Sequence, residues 1–371
     1  MSFGEQLRRL MAERGVSLRT LAKQVPCDAG HLSKVSHGHK TPSAKLAERL
    51  DELLGAEGRL AARRPAKAFR QTLNGDLTPD DEERLRLAAE KPARADLTVV
   101  DNLATILAAQ RRTEDVVGSG PLIEPVRAQL AAVADMVKEA RGGVRGPLLD
   151  VGAQWSQFAG WLHASIGRPD QALGHLGTTL EWATERGDQA MVGAVMSWRG
   201  YIAERAGQIG PMVGLSQAGQ RLRNSVGRVY DLYQEARGQA LLGDAGEVDR
   251  LTARAAEEAE DLRPDDCRPW EYYYFAPGFF TMEHGVAYRI LGRTDPERNA
   301  QAVTLLRRGL DELPMAMRES EWAGDFVYQL GRAYRQADET AEAERLAGGL
   351  DDLARRIDSE RLGRQAAALR W

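Results

Sequence analysis

The sequence predicts an all-α protein in two parts, a small helical head followed by a long array of helical hairpins. Three observations carry this. Apolar residues recur at helical spacing through most of the chain, in sets such as Leu18, Leu21, Ala22 and Val25 at i, i+3, i+4 and i+7. A small residue followed seven positions later by a turn residue recurs along the C-terminal part. Charge is also divided: residues 1–70 carry 14 Lys and Arg against 7 Asp and Glu, and the other 301 carry 36 against 47, within a 371-residue chain of net charge −4.

The head opens with a helix from Phe3 to Arg14. Ser17 is placed to cap a second helix, which Pro26 ends. Asp28 can cap a third, in which Leu32 and Val35 form a narrow apolar stripe while Ala29, Gly30, His31, Ser33 and Lys34 point elsewhere. A fourth helix, Ser43 to Leu54, turns Leu46, Ala47, Leu50, Leu53 and Leu54 to the core. The outward face of the third helix is small, polar and basic, which suits insertion into the major groove of duplex DNA. Lys34 can donate to guanine O6 or N7, and His31 to groove acceptors or phosphate. Arg19 and Lys23 are placed to grip phosphates, contacts that position without specifying. Ser17, His37, Lys40 and Thr41 complete the candidate DNA-contacting set, the last two beside Pro42 where the fourth helix begins. Residues 1–70 hold only Phe3 and Phe69 as aromatics, too few to stack the bases of a single strand.

The ordered set Leu7, Leu10, Gly15, Ser17, Leu21-Ala22, Val25, Leu32-Ser33, Gly38, Pro42-Ser43 and Leu46 resembles a lambda-repressor-like helix-turn-helix domain of the XRE type. The resemblance implies a regulator that reads duplex DNA as a homodimer. Two positions depart from the family pattern. Leu18 stands where a contact-making Gln is usual, and Ser36 where a Glu usually joins a buried ion pair.

Residues 1–62 are therefore read as the DNA-binding domain. From 63 to 96 the pattern loosens into a linker with helical segments, punctuated by Arg63-Arg64-Pro65, Asn74-Gly75, Thr78-Pro79 and Lys91-Pro92. Residues 97–371 form the regulatory and dimerisation domain. It begins with two helices, one with Leu97, Val100, Leu103, Ile106 and Leu107 on one face and one with Val126, Leu130, Val133 and Val137, separated at Gly118 to Pro121.

Beyond them the repeat becomes clear. Gly160 and Gly167, Gly200 and Gly207, Ala236 and Gly243, Gly285 and Gly292, and Gly331 and Asp338 each pair a small residue with a turn residue seven positions later, and a second helical pattern follows each. One such hairpin cannot bury its apolar face alone, so neighbours must stack into a superhelix. Leu330-Gly331-x-x-Tyr334 with Ala343, Gly285-x-x-Tyr288, and Gly160 with Ala172 resemble tetratricopeptide repeats, with a period longer than is usual for that family. The two-part plan resembles bacterial peptide-sensing regulators of the kind used in quorum sensing.

The resemblance implies that the first helix of each pair lines an inner surface. On that basis Gln154, Gln157, Trp161, Ser197, Tyr201, Tyr230, Tyr233, Arg237, Arg289, Tyr328 and Arg332 are candidates to hold a peptide or small-molecule effector. Trp270 to Phe280, WEYYYFAPGFF, is the densest aromatic run and reads as core or an interface patch, or else as the wall of a ligand pocket.

Nothing points to catalysis. His-Glu-x-x-His, Gly-x-x-x-x-Gly-Lys-Ser/Thr and Gly-x-Ser-x-Gly are all missing from the sequence. Three His cluster in the head (His31, His37 and His39) and three are scattered (His163, His175 and His284), a pattern that implies no metal site; no cofactor is expected. Cys27 and Cys267 are the only cysteines, and no run of about 18 apolar residues marks a membrane span. A cytoplasmic location is expected. The competing reading is a protein-interaction adaptor that its head localises on DNA.

Overall fold

Among its described residues, the head of the computed structural model holds four helices: α1 (Phe3–Glu13), α2 (Leu18–Gln24), α3 (Ala29–Ser36) and α4 (Ala44–Leu53). Residues 3–25, 27–37, 42, 44–56, 58–60, 77–223, 225–263 and 267–370 are described, and every regular element among them is helical. The chain divides into two units, Met1–Arg70 and Gln71–Trp371.

Apolar spacing shapes the head. Phe3, Leu7, Leu10, Leu21, Val25, Leu32, Val35, Leu50 and Leu54 bury one common core. Gly15, with φ +62, makes the turn out of α1, a conformation in which a Cβ would be strained. The domain is closed by a group that helical spacing does not reveal. The Asp51 carboxylate, 6 % exposed, accepts from the backbone N–H of Gly58 at 2.6 Å and of Leu60 at 2.7 Å.

The second unit opens with α5 (Pro79–Glu90), capped by Thr78 and Asp81 in a reciprocal capping box. Of the expected linker 63–96, residues 63–76 lie outside the described residues, and α5 packs into this unit. Ala88 and Ala95 lie in one core with residues of α6 (Leu97–Val117) and α7 (Ile123–Glu139). The physical reason is the burial of Ala88 and Ala95 in that core, with Leu85 packed against it, while the polar ties Arg84 to Asp96 at 2.7 Å and Asn102 to Asp81 at 3.0 Å join α5 to the start of α6. Leu97, expected on the buried face, is instead 58 % exposed, because Asp96 caps the helix and Val99 and Val100 carry the buried stripe.

Five helical hairpins follow: α8 (Arg145–Ser165) with α9 (Pro169–Arg186), α10 (Gln189–Arg205) with α11 (Ile209–Leu222), α12 (Val226–Leu242) with α13 (Ala245–Glu260), α14 (Phe279–Leu291) with α15 (Pro296–Glu312), and, after the short α16 (Met315–Arg318), α17 (Glu321–Gln336) with α18 (Thr340–Arg356). The terminal α19 (Glu360–Leu369) packs on α17 and α18. At Gly160 and Gly285 the recurrent small residue sits where the helices of its own pair cross, whereas Gly331 faces Leu369 of α19. A Cβ on Gly285 would lie 2.8 Å from Leu306 Cγ and 3.1 Å from its backbone nitrogen. The turn residues Gly167, Gly207, Gly243 and Asp338 all have positive φ. Gly292 does not: its φ is −62, because the turn after α14 continues in right-handed geometry.

Two features sharpen the stack. Between α13 and α14 the chain folds back through Trp270–Phe275, held by a buried ionic cluster in which Arg223 pairs with Asp231 and Glu271, all three side chains 0–1 % exposed. The last hairpin is also tied to the first helices. Ser119 N–H donates to Glu321 Oε2 at 3.3 Å, while the Trp270–Phe275 segment is tied to α6 where Tyr272 O–H donates to Asp115 Oδ2 at 2.8 Å.

Candidate nucleic-acid interface and inner cavity

In the head, α2 and α3 are started by side chains that meet the open N–H groups of a helix N-terminus. Ser17 Oγ accepts from Thr20 N–H at 3.1 Å. Asp28 Oδ1 accepts from Gly30 N–H at 2.7 Å and His31 N–H at 3.0 Å, and these two bonds hold its carboxyl below the usual range. Fixing both starts fixes the face that α3 presents. Ser17, Arg19, Lys23, Gly30, Lys34 and His37 are exposed, and His31 and Ser33 are half-buried. Ala29 is half-buried as well, part of its side chain packing against the core one turn ahead of Leu32 and Ser33. His37 turns its Nδ1 to within 2.9 Å of Ser33 O, so that ring nitrogen caps the end of α3. Lys40 and Thr41 lie outside the described residues.

The two departures from the family pattern have visible consequences. Leu18 packs against the core, adding apolar contact where a polar reader would stand. Ser36 is 1 % exposed, its hydroxyl donates to Ser33 O at 2.9 Å, and the Arg8 guanidinium donates to its carbonyl oxygen. A backbone carbonyl thus holds this arginine.

In the second unit the first helices of the hairpins, together with α19, surround a cavity of about 360 Å³. Of the expected ligand residues, Trp161, Tyr201, Tyr230, Arg237, Arg289, Tyr328 and Arg332 line it. Gln157 and Trp161 line an adjoining space of about 80 Å³, walled also by Trp198, Trp270, Tyr272, Tyr273 and Trp322. Three expected residues line neither space. Gln154 is buried and donates to Asp150 O at 3.3 Å, one turn earlier in its own helix. Ser197 is buried beside Asp231. Tyr233 is buried, stacked on Phe280 with ring centroids 5.5 Å apart. Each lies on a first helix but on the side that packs against a neighbour.

The carboxylates of the cavity were not legible in the sequence. Arg237, 4 % exposed, pairs with Glu204 at 3.0 Å and with Glu283, and its guanidinium lies over the Tyr230 ring at 5.6 Å. Burial, partly offset by Arg237, pushes the Glu283 carboxyl up to about 7. Asp325 accepts from Arg361, from Gln365 Nε2 at 2.7 Å and from Arg205 at 3.3 Å, so one carboxylate joins α10, α17 and α19. Arg205 also covers the Tyr201 ring at 4.8 Å. In the smaller space, burial pushes Glu114 up to about 8, against a 2.6 Å hydrogen bond from Ser119 Oγ.

The aromatic run Trp270 to Phe280 serves both expected purposes. Tyr274 stacks on Tyr230 at 4.9 Å and Phe279 meets Phe326 at 5.7 Å, while Tyr273 and Phe279 also wall the larger cavity. Among the described residues, no three His, Cys, Asp or Glu side chains meet as metal ligands would, and no helix is long and apolar enough to cross a membrane. Cys27 and Cys267 are both free thiols.

Comparison with known families places one of the two units. Residues 2–63 match the family model described as a helix-turn-helix domain. No curated protein matches the chain.

Proposed function

We propose that this protein is a transcriptional regulator of the XRE type that reads duplex DNA through α3 as a homodimer, under the control of a small-molecule or peptide effector held inside its tetratricopeptide-like hairpin array. The observation that carries the DNA-binding part is the helix-turn-helix match over residues 2–63 together with the exposed basic face of Arg19, Lys23 and Lys34. The effector part is supported by the cavity, whose charged and aromatic lining comes from five different helices. Ligand sites of this kind are concave, mostly apolar and furnished with a few convergent polar groups.

A dimer would present two copies of α3 to half-sites separated by about 34–36 Å or a multiple of it. An effector that favours one arrangement of the array would alter that separation and with it the affinity for the operator. Regulator function is tested by selecting bound sequences from a random duplex pool with the full chain, then measuring affinity across a salt series. Enrichment of a palindromic site and a steep salt dependence are expected. Equal binding to all sequences would overturn the specific-regulator reading, and a monomer on operator DNA in light scattering would overturn the dimer.

A further inference from the structure

Arg289 is 3 % exposed and lines the larger cavity, and its Nε and Nη1 atoms are buried without a hydrogen-bond partner in the protein. The other guanidiniums around this cavity fall into two groups. Arg237 is held by Glu204 and Glu283, Arg205 by Asp325, and Arg361 behind them by Asp325 and Glu321. Arg293 and Arg332 are not so held. They line the cavity with Arg289, Arg293 just past the end of α14 and Arg332 on α17 over the Tyr328 ring at 5.8 Å. Burial, and then the neighbouring charges of Arg332 and Arg293, pull the Arg289 guanidinium down to about 9. The lining therefore holds five arginines against the three carboxylates Glu204, Glu283 and Asp325, and the surplus falls on one wall.

A buried guanidinium without a partner is costly to a fold unless something completes it. Its planar donor fork matches the oxygens of a carboxylate or a phosphate. The same cavity is walled by Trp161, Trp198, Phe279 and Trp322, which offer apolar contact to the rest of a ligand. We propose that the cavity takes a small amphipathic acid, its carboxylate or phosphate bound by Arg289, Arg293 and Arg332 and its apolar body laid against Trp161, Trp198 and Trp322. This rests on reading the cavity as the effector site and names the chemical class of the effector.

The test titrates the full chain, at fixed ionic strength, with octanoate, octyl phosphate, octan-1-ol and octylamine, reading tryptophan fluorescence and thermal shift. At least one of the two acids is expected to bind about tenfold or more tighter than the alcohol, equivalent to about 1.4 kcal/mol, with the amine weakest. Comparing octanoate with octyl phosphate shows which anionic group the arginines prefer. Arg289→Gln should remove the preference for acids, and Arg332→Gln, on a half-buried side chain, should weaken it while leaving the fold intact. Equal binding of alcohol and acid, no acid-dependent signal at millimolar concentration, or an undiminished preference in folded Arg332→Gln and Arg289→Gln proteins would each overturn the proposal. DNA affinity measured with and without the bound acid separates the two readings. An acid that binds through Arg289 but leaves DNA affinity unchanged upholds the anion site and removes its regulatory role.

Discussion

Ser119 and Glu321 meet although 202 positions separate them: the backbone N–H of Ser119 donates to Glu321 Oε2 at 3.3 Å. The same carboxylate accepts from Ser359 Oγ at 2.6 Å and lies 3.4 Å from Arg361, itself buried. Glu321 thus joins the end of α6 to α17 and α19, the two ends of the hairpin array.

Removing that carboxylate should loosen the closure. Glu321→Ala strands a buried N–H, a buried hydroxyl and part of the charge of Arg361, and is expected to cost about 2–4 kcal/mol. Glu321→Gln, which keeps one acceptor and loses the charge, should cost less. Urea unfolding followed by tryptophan fluorescence reads both, and a loss below about 0.5 kcal/mol for the alanine variant would show that the contact carries no weight.

Glu114 makes stability depend on pH in a predictable direction. Its folded carboxyl is raised to about 8, chiefly by burial, so between the ordinary glutamate range and pH 8 the folded chain keeps a proton that the unfolded chain has released. Stability from this group is therefore present at low pH and falls as pH rises, at a limiting slope of about 1.4 kcal/mol per pH unit. Glu114→Gln mimics the protonated acid and can still accept from Ser119. Its stability advantage over the native chain should be larger at pH 8 than at pH 5.5, by about 1 kcal/mol or more. An advantage independent of pH would mean that Glu114 is ionised in the fold.

Two kinds of glycine should respond in opposite ways. Gly278 has φ +80, and a Cβ there would overlap the backbone of Gly309, so Gly278→Ala should lose about 2 kcal/mol or more. Gly348 and Gly349 lie inside α18, where an added Cβ would meet nothing within 4 Å, so Gly348→Ala and Gly349→Ala should each gain about 0.5–1 kcal/mol. Thermal unfolding of the three variants decides, and a stabilising Gly278→Ala would contradict the packing of α14 on α15.

On the DNA side, Lys34 and Arg19 are both exposed, at different places on the two-helix face. Lys34→Ala should reduce affinity for the selected site more than for random duplex, by about 1–3 kcal/mol if it reads a base edge. Arg19→Ala should weaken both alike and lower the salt slope by about one. Equal losses in the two variants would make Lys34 a phosphate contact as well.

Much of this architecture was legible in periodicity. The apolar spacing of Leu21, Leu32 and Val35 placed the head, and the glycines at 160, 200, 285 and 331 marked the helix crossings, because backbone approach and burial leave local traces. The first-helix rule likewise brought Arg237, Arg289 and Arg332 to one cavity. What the sequence concealed were relationships between distant positions. Arg223 pairs with Glu271 across 48 residues and Arg237 with Glu283 across 46, and nothing in the spacing of one hairpin says which charge of the next will face it. Ser197 and Tyr233 lie away from the cavity for a related reason. A short or amphipathic side chain fits either side of a helix, and only the neighbour decides.

The closure at Glu321 also bears on how such a protein can change over time. An open stack of hairpins, in which each unit touches only its neighbours, can gain or lose one by duplication or deletion and still fold. Here one hairpin more or less would carry Glu321 away from Ser119 and Asp325 away from Arg205. Changing the number of hairpins would therefore cost this chain both of those contacts.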